Sequence, residues 1–305
     1  MTQLLAIDWG TSSLRGALLA PDGLVMQERS FPRGILTISP GGFQDVFDIC
    51  FGDWMTPSTL CLIAGMAGSQ QGWLEAPYCP CPAGFTDVAA QLAWVKRDAP
   101  GRIAIVPGLS IEIDGAPDVM RGEETQVFGV LQLLDLNGAR LVLPGTHSKW
   151  VTVADRRITH FSTWMTGEFY ALLRQHSILA RTLPEGEPPP DANAFEQGVT
   201  CALQGKGLLH TAFSTRTLAL FKRMTADAFP SYLSGLVIGE ELRCQTLQPG
   251  DAVVIVGAVA LAARYERALK LFGVSCRVAG NDATWRGLSA IASRLDRPHT
   301  SPLSG

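Results

Sequence analysis

The feature that most constrains the fold of this chain is a pattern that occurs twice. An apolar run, Leu4-Leu5-Ala6-Ile7, leads into Asp8-Trp9-Gly10-Thr11-Ser12-Ser13, and a second run begins at Leu14. About 135 residues later, Arg140-Leu141-Val142-Leu143-Pro144 leads into Gly145-Thr146-His147-Ser148-Lys149 and then Trp150-Val151-Thr152-Val153. Each copy reads as a strand, a Gly-Thr-x-Ser turn and a second strand. A repeat of this kind predicts two similar α/β domains, over residues 1–135 and 136–305, facing each other across a cleft. The repeat lies in architecture and hardly in wording.

The rest of the chain fits alternating strands and helices. Leu4 to Ile7, Leu14 to Leu19 and Leu24 to Phe31 predict three antiparallel strands before any helix. Leu60 to Ala64 and Ile103 to Val106 read as buried strands ending in glycine-bearing loops, which usually point at a cleft. Val127, Val130, Leu131 and Leu134 recur at helical spacing ahead of Asn137-Gly138. Helical patterns fill Ala192 to Leu220 and Phe229 to Leu242. Ala252 to Val256 is a strand, Gly257-Ala258 its turn, and Ala260 to Leu271 a helix; a strand at Val274 to Val278 and a helix from Asp282 to Leu295 close the chain. That last helix is free to pack back on the first domain.

Bulk properties narrow the function classes. At 305 residues and 47% hydrophobic content the chain can bury two cores, and a net charge of -3 leaves no basic footprint for nucleic acid or anionic membrane. The longest apolar windows, such as Ala252 to Ala263, are too short to span a bilayer. Met1-Thr2-Gln3 leads straight into a strand with no leader pattern, and seven scattered cysteines suit a reducing compartment, so a cytoplasmic location is expected. Cys79-Pro80-Cys81 has the wrong spacing for a zinc knuckle or redox pair and reads as a loop feature. His160, His176, His210 and His299 show no metal-ligand spacing.

The turns carry the chemistry. Backbone N–H groups of Gly10, Thr11, Ser12 and Ser13 can face a phosphate. Asp8 would repel that anion unless a divalent cation and its water lie between them, so Mg2+ on Asp8 is expected. An ordinary hairpin with a hydroxyl-rich turn has the same pattern. Glu123 and Glu124 open the helix after Arg121-Gly122, where a carboxylate can take a proton from an attacking hydroxyl; both acids also suit a helix N-terminus on dipole grounds alone. Lys149 follows the second turn as a point charge for phosphate or as a surface lysine. His147 reads as a hydrogen-bonded loop residue.

Taken in order, Ala6-Ile7-Asp8-Trp9-Gly10-Thr11-Ser12-Ser13-Leu14-Arg15, Gly65-Met66-Ala67-Gly68-Ser69-Gln70-Gln71-Gly72-Trp73, Arg121-Gly122-Glu123-Glu124-Thr125-Gln126, Leu143 to Trp150 and Phe161-x-Thr163-x-Met165-Thr166-Gly167-Glu168 resemble the 2-dehydro-3-deoxygalactonokinase family. That family belongs to the actin-like, sugar-kinase and heat-shock ATPase superfamily. The resemblance implies two ribonuclease-H-like domains and ATP- and Mg2+-dependent phosphorylation of the 6-hydroxyl of 2-dehydro-3-deoxy-D-galactonate. It implies Glu124 as base, by its place before Thr125, although Asp is the usual residue there, with Glu123 orienting substrate or balancing Arg121. Gly145, Thr146, Ser148 and Lys149 would bind phosphate, and Gly257 and Ala258 the adenosine. Gln70, Gln71 and Trp73 are candidates for the sugar hydroxyls, with Trp73 alternatively capping a core edge. Arg121 and Arg15 are candidates for the substrate carboxylate, and Arg121 alternatively partners the base. Two other readings stay open: a kinase of another hexose or aldonate, and a non-metabolic actin-like ATP-binding protein. A homodimer is compatible with any of them.

Overall fold

A computed structural model describes residues 3–280 and 282–295 of the chain. Its contacts group into two units. The first comprises Met1–Ala139, Val151–Phe161 and Gly280–Gly305, the second Arg140–Trp150 and Ser162–Ala279.

The first unit begins with β1 (Gln3–Trp9), β2 (Leu14–Leu19) and β3 (Val25–Phe31), paired antiparallel with Asp8 opposite Arg15. After α1 (Phe43–Phe51), β4 (Thr59–Gly65) returns parallel to β1. Next come β5 (Tyr78–Pro80), α2 (Phe85–Ala90), β6 (Ala93–Trp94), β7 (Arg102–Ile105), β8 (Gly108–Ile113), β9 (Ala116–Met120) and α3 (Glu123–Leu133). Six strands form one sheet in the order β3-β2-β1-β4-β7-β6, and β5-β8-β9 form a small second sheet. Every residue of β4 is buried, as befits a parallel strand covered on both faces. Leu5, Ile7, Trp9, Phe47, Phe51, Ile63 and Ile105 make the core.

The chain continues through β10 (Ala139–Leu143), β11 (Ser148–Ala154), β12 (Arg157–Trp164), α4 (Thr166–His176), α5 (Ala192–Leu203), α6 (Leu208–Thr211), α7 (Ser214–Leu220), α8 (Phe229–Arg243), β13 (Ala252–Val256), α9 (Val259–Leu271) and β14 (Ser275–Ala279). The five strands lie in the order β12-β11-β10-β13-β14. This repeats β3-β2-β1-β4-β7: third, second and first strand, then two crossover strands. The sequence repeat is therefore a repeat of sheet topology.

Helix α10 (Ala283–Leu295) belongs to the first unit and lies against α3. Two glycines permit the contact. A Cβ added at Gly287 would fall 1.8 Å from the Thr125 carbonyl oxygen, and one at Gly129 only 1.7 Å from that of Ala283. The α3 N-terminus, which carries the two acids, is thereby backed by another helix.

Two local expectations are corrected. The helical pattern from Ala192 to Leu220 is three helices, because Gly205 and Gly207 adopt φ of 73° and 79° and end regular helix between α5 and α6. The predicted Pro107-Gly108 loop is one residue shorter than read, since Gly108 already starts β8.

Candidate active site

The first unit gathers its candidate residues at the C-terminal ends of β1 and β4. Asp8 stands near the end of β1, and Gly65 ends β4 with φ +89°. A Cβ at Gly65 would come within 2.9 Å of the Trp9 carbonyl oxygen and 3.3 Å of Asp8 Oδ1, while one at Gly122 would come 3.2 Å from Gly65 Cα. Gly65 thus lets the strand carrying Asp8 and the turn carrying Glu123 and Glu124 converge. Gly122, at φ +106°, places that turn at the start of α3.

The two acids differ sharply in surroundings. Glu123 is half-buried, and its Oε2 accepts from the Arg121 N–H at 3.0 Å. Glu124 is wholly buried; Oε2 accepts from the Gly122 N–H at 2.7 Å and Oε1 has no partner. Burial pushes its carboxyl up to about 8, and the Glu123 charge adds to the rise. Arg121 donates Nη2 to the Ala76 carbonyl at 2.8 Å and lies 4.3 Å from the Tyr78 ring centre, while Nε and Nη1 are buried without partners. Arg121 lies close enough to Glu124 to favour its charged form.

Asp8 is paired with Arg15, Oδ2 to Nη2 at 2.5 Å, and the Arg15 guanidinium sits 5.6 Å from the Trp285 ring centre on α10. In the Gly10 to Ser13 turn, the Gly10 N–H donates to the Ser13 carbonyl at 2.9 Å, so it closes the turn rather than facing an anion. The carbonyls of Gly10 and Thr11 accept from Ile35 and Leu36, and the side chains of Thr11, Ser12 and Ser13 are exposed.

Beside this turn lies a cavity of about 590 Å3, lined by Gln70, Gln71 and Trp73 together with Ile35, Phe43 and Gln44. That volume is in the range of small-molecule sites. Trp73 serves two ends: it borders the cavity and packs against Trp9 and Phe47, with ring centres 6.1 and 5.5 Å away. Arg121 does not border it. Gln44, on α1, was missed from the sequence because an amphipathic helix offers no sign of which polar residue turns toward a cavity.

In the second unit, β10 and β13 run parallel and side by side, so the Gly145 turn and the Gly257-Ala258 turn emerge together. A Cβ at Gly257 would lie 3.5 Å from the Pro144 carbonyl oxygen. The α4 N-terminus flanks the Gly145 turn: Glu168 N–H donates to the Thr146 carbonyl at 3.0 Å, and a Cβ at Gly167 would fall 2.5 Å from the Gly145 carbonyl oxygen. His147 Nε2 meets Glu168 Oε2 at 2.5 Å, as a hydrogen-bonded loop residue would. Thr146 is exposed at the turn. Ser148 is wholly buried and directs its hydroxyl inward to Glu241, and the buried Lys149 donates Nζ to Thr163 Oγ1 at 2.7 Å.

Among the described residues no group of three His, Cys, Asp or Glu side chains could hold a metal ion, and no helix is long and apolar enough to cross a membrane. Cys79 is buried and accepts from Gln91 Nε2. Met1, Thr2 and His299 lie outside the described residues.

A family model described as 2-keto-3-deoxy-galactonokinase matches residues 8–291. A probable 2-dehydro-3-deoxygalactonokinase of Rhizobium meliloti is 36% identical over 95% of this chain and 96% of its own length. The 2-dehydro-3-deoxygalactonokinase of Escherichia coli is 34% identical over 94% and 97%. Among solved structures, a Sinorhizobium meliloti protein assigned as a 2-dehydro-3-deoxygalactonokinase superposes with a TM-score of 0.88 at 34% identity, covering 96% of this chain and 99% of that one.

Proposed function

Because the chain belongs to the 2-keto-3-deoxy-galactonokinase family, and so is an ATP-using kinase of 2-keto-3-deoxygalactonate (also written 2-dehydro-3-deoxygalactonate), we propose the roles of its residues in transfer to the 6-hydroxyl. In the second unit, the Gly145 and Thr146 turn suits phosphate and Gly257 and Ala258 suit the adenosine; in the first unit, the exposed Thr11, Ser12 and Ser13 offer hydroxyls to phosphate. Gln44, Gln70, Gln71 and Trp73 receive the sugar acid, whose hydroxyls suit amide donors and acceptors. Arg121, which is held on the Ala76 carbonyl and does not border the cavity those residues line, suits the role of partner to the Glu124 carboxyl. The reaction belongs in the cytoplasm, where ATP is made available, and a homodimer is the assembly to test.

Asp8 fits a magnesium ion: Mg2+ is commonly held by one or two carboxylates, substrate phosphates and water rather than a cage of side chains. Its Oδ1 lies on the Gly65 side, and Oδ2 on Arg15. When bound, the ion supplies charge neutralisation for the transferred phosphoryl group. The protein's own part is the proton. As the hydroxyl oxygen bonds to the γ-phosphorus and the bond to the β-phosphate oxygen breaks, the hydroxyl proton passes to Glu124 and ADP leaves.

The observation that carries this reading is the unpartnered, fully buried Oε1 of Glu124. A carboxyl raised to about 8 is a strong proton acceptor, and its free oxygen is available for one hydrogen bond that the folded chain does not supply. It is sealed from water, so contact with substrate requires the α3 N-terminus to open. ADP release on 2-dehydro-3-deoxygalactonate, plain hexoses and other aldonates tests the reaction; comparable turnover on the hexoses overturns the narrow substrate. Glu124→Gln should lower turnover about a hundredfold or more with ATP affinity little changed, while Glu123→Gln should mainly raise KM for the sugar acid. The reverse result assigns the base to Glu123, and two mild variants refute a carboxylate base.

A further inference from the structure

Glu241, on α8, is the most heavily bonded buried carboxylate of the second unit. It is 2% exposed. Oε1 accepts from Ser148 Oγ at 2.9 Å and Trp150 Nε1 at 2.7 Å; Oε2 accepts from Tyr265 OH at 2.7 Å and from Thr166 Oγ1. Ser148 and Trp150 alternate with Lys149 along β11, so the two donors share the strand face opposite Lys149. Burying a carboxylate is unfavourable unless donors replace water, and here four do so.

The origin of the donors matters more than their number. Ser148 is the first residue after the Gly145-Thr146-His147 turn. Thr166 opens α4, whose next two residues press on that turn through Gly167 and the Glu168 N–H. Tyr265 lies on α9, which begins immediately after Gly257-Ala258. One carboxylate therefore ties the exit of the phosphate turn, the wall behind it and the helix leaving the nucleoside turn to a single point on α8. We infer that Glu241 is a positioning residue for ATP, setting the spacing of the phosphate and nucleoside turns without touching the nucleotide. The inference rests on the proposed roles of those two turns.

It carries an expected kinetic signature. If the carboxylate only supported the fold, its replacement would lower the amount of active enzyme and the melting temperature, leaving both KM values alone. If it sets turn spacing, KM for ATP rises while KM for the sugar acid stays put. The experiment measures both constants on the full chain for Glu241→Gln, Tyr265→Phe, their double variant and Gly257→Val. Tyr265→Phe should raise KM for ATP about fivefold, the effect of roughly one hydrogen bond, and Glu241→Gln tenfold or more, at roughly that scale per lost bond. Because Tyr265 acts through Glu241, the double variant should be about as impaired as Glu241→Gln alone. Unchanged KM for ATP in both single variants, whatever the melting temperature, overturns the inference; should Glu241→Gln fail to fold, an unchanged constant in Tyr265→Phe does so alone. Gly257→Val crowds the nucleoside turn directly. If it too leaves KM for ATP unchanged, the assignment of the turns fails, a result distinct from failure of Glu241.

Discussion

Glu124 and Glu241 are both shut away from water at the working end of a repeated sheet, yet their surroundings are opposite. Glu241 has a donor for every face of its carboxylate, and these bonds counter the upward push of burial. Glu124 has one backbone N–H, an acidic neighbour and an oxygen with no partner. A satisfied buried charge holds neighbouring segments in place; an unsatisfied one keeps its capacity for a proton and for an incoming hydroxyl. The difference is the one expected between a group proposed to position and a group proposed to react.

The comparison breaks most visibly under apolar replacement. Glu241→Leu would leave the Ser148, Thr166 and Tyr265 hydroxyls and the Trp150 indole N–H buried without their acceptor, a loss of about 3–5 kcal/mol in urea unfolding. Glu124→Leu removes a nearly unpartnered carboxyl and should be neutral or stabilising at pH 8. If both lose similar stability, the contrast between the two sites is wrong.

Asp8 lies between those extremes, partly exposed and paired with Arg15. Asp8→Asn should lower turnover by about two orders of magnitude or more, as loss of the proposed magnesium ligand implies. Its melting temperature should barely move, since a partly exposed pair such as Asp8 with Arg15 contributes about 1 kcal/mol or less. Near-normal turnover at saturating magnesium would remove Asp8 from the site.

The smallest effect is the sharpest test of Glu124. Burial holds its folded carboxyl up at about 8 against an ordinary value of 4.5 in the unfolded chain, so between these values the folded chain binds more protons than the unfolded chain. The stability linked to this group is full below about 4.5 and lost as the pH rises through 8, at about 1.4 kcal/mol per pH unit at most. Glu124→Gln has no such loss, so its melting temperature should gain on the parent from pH 5 to pH 9. The parent's kcat/KM should climb toward a plateau above about pH 8. A constant difference in melting temperature would show that Glu124 titrates normally.

Much of this was legible beforehand. The doubled strand, turn and strand pattern announced the doubled sheet order, because alternation of apolar runs and glycine turns is a local property of the chain. The Gly65 loop and the Gly257 turn were legible for the same reason, each following a strand end, and the start of α3 was legible from helical spacing, whereas β8 and β9 ahead of it were not read. Gln70, Gln71 and Trp73 do meet at one cavity. The inward course of the Ser148 hydroxyl, the closed Gly10 N–H and the pairing of Arg15 with Asp8 were not legible, since a residue's type leaves open which neighbour claims it.

Sequence by itself determined the family, the repeated topology and the positions of turns and acids, all of which depend on residues near one another in the chain. Tertiary structure alone decided which glutamate is satisfied. Glu241 meets donors from β11, α4 and α9, the farthest of them 93 positions away, and Glu124 meets almost none. Burial and hydrogen bonding are sums over neighbours in space, and a helix that reads Gly-Glu-Glu in both places, at Gly122 and at Gly239, contains no record of them.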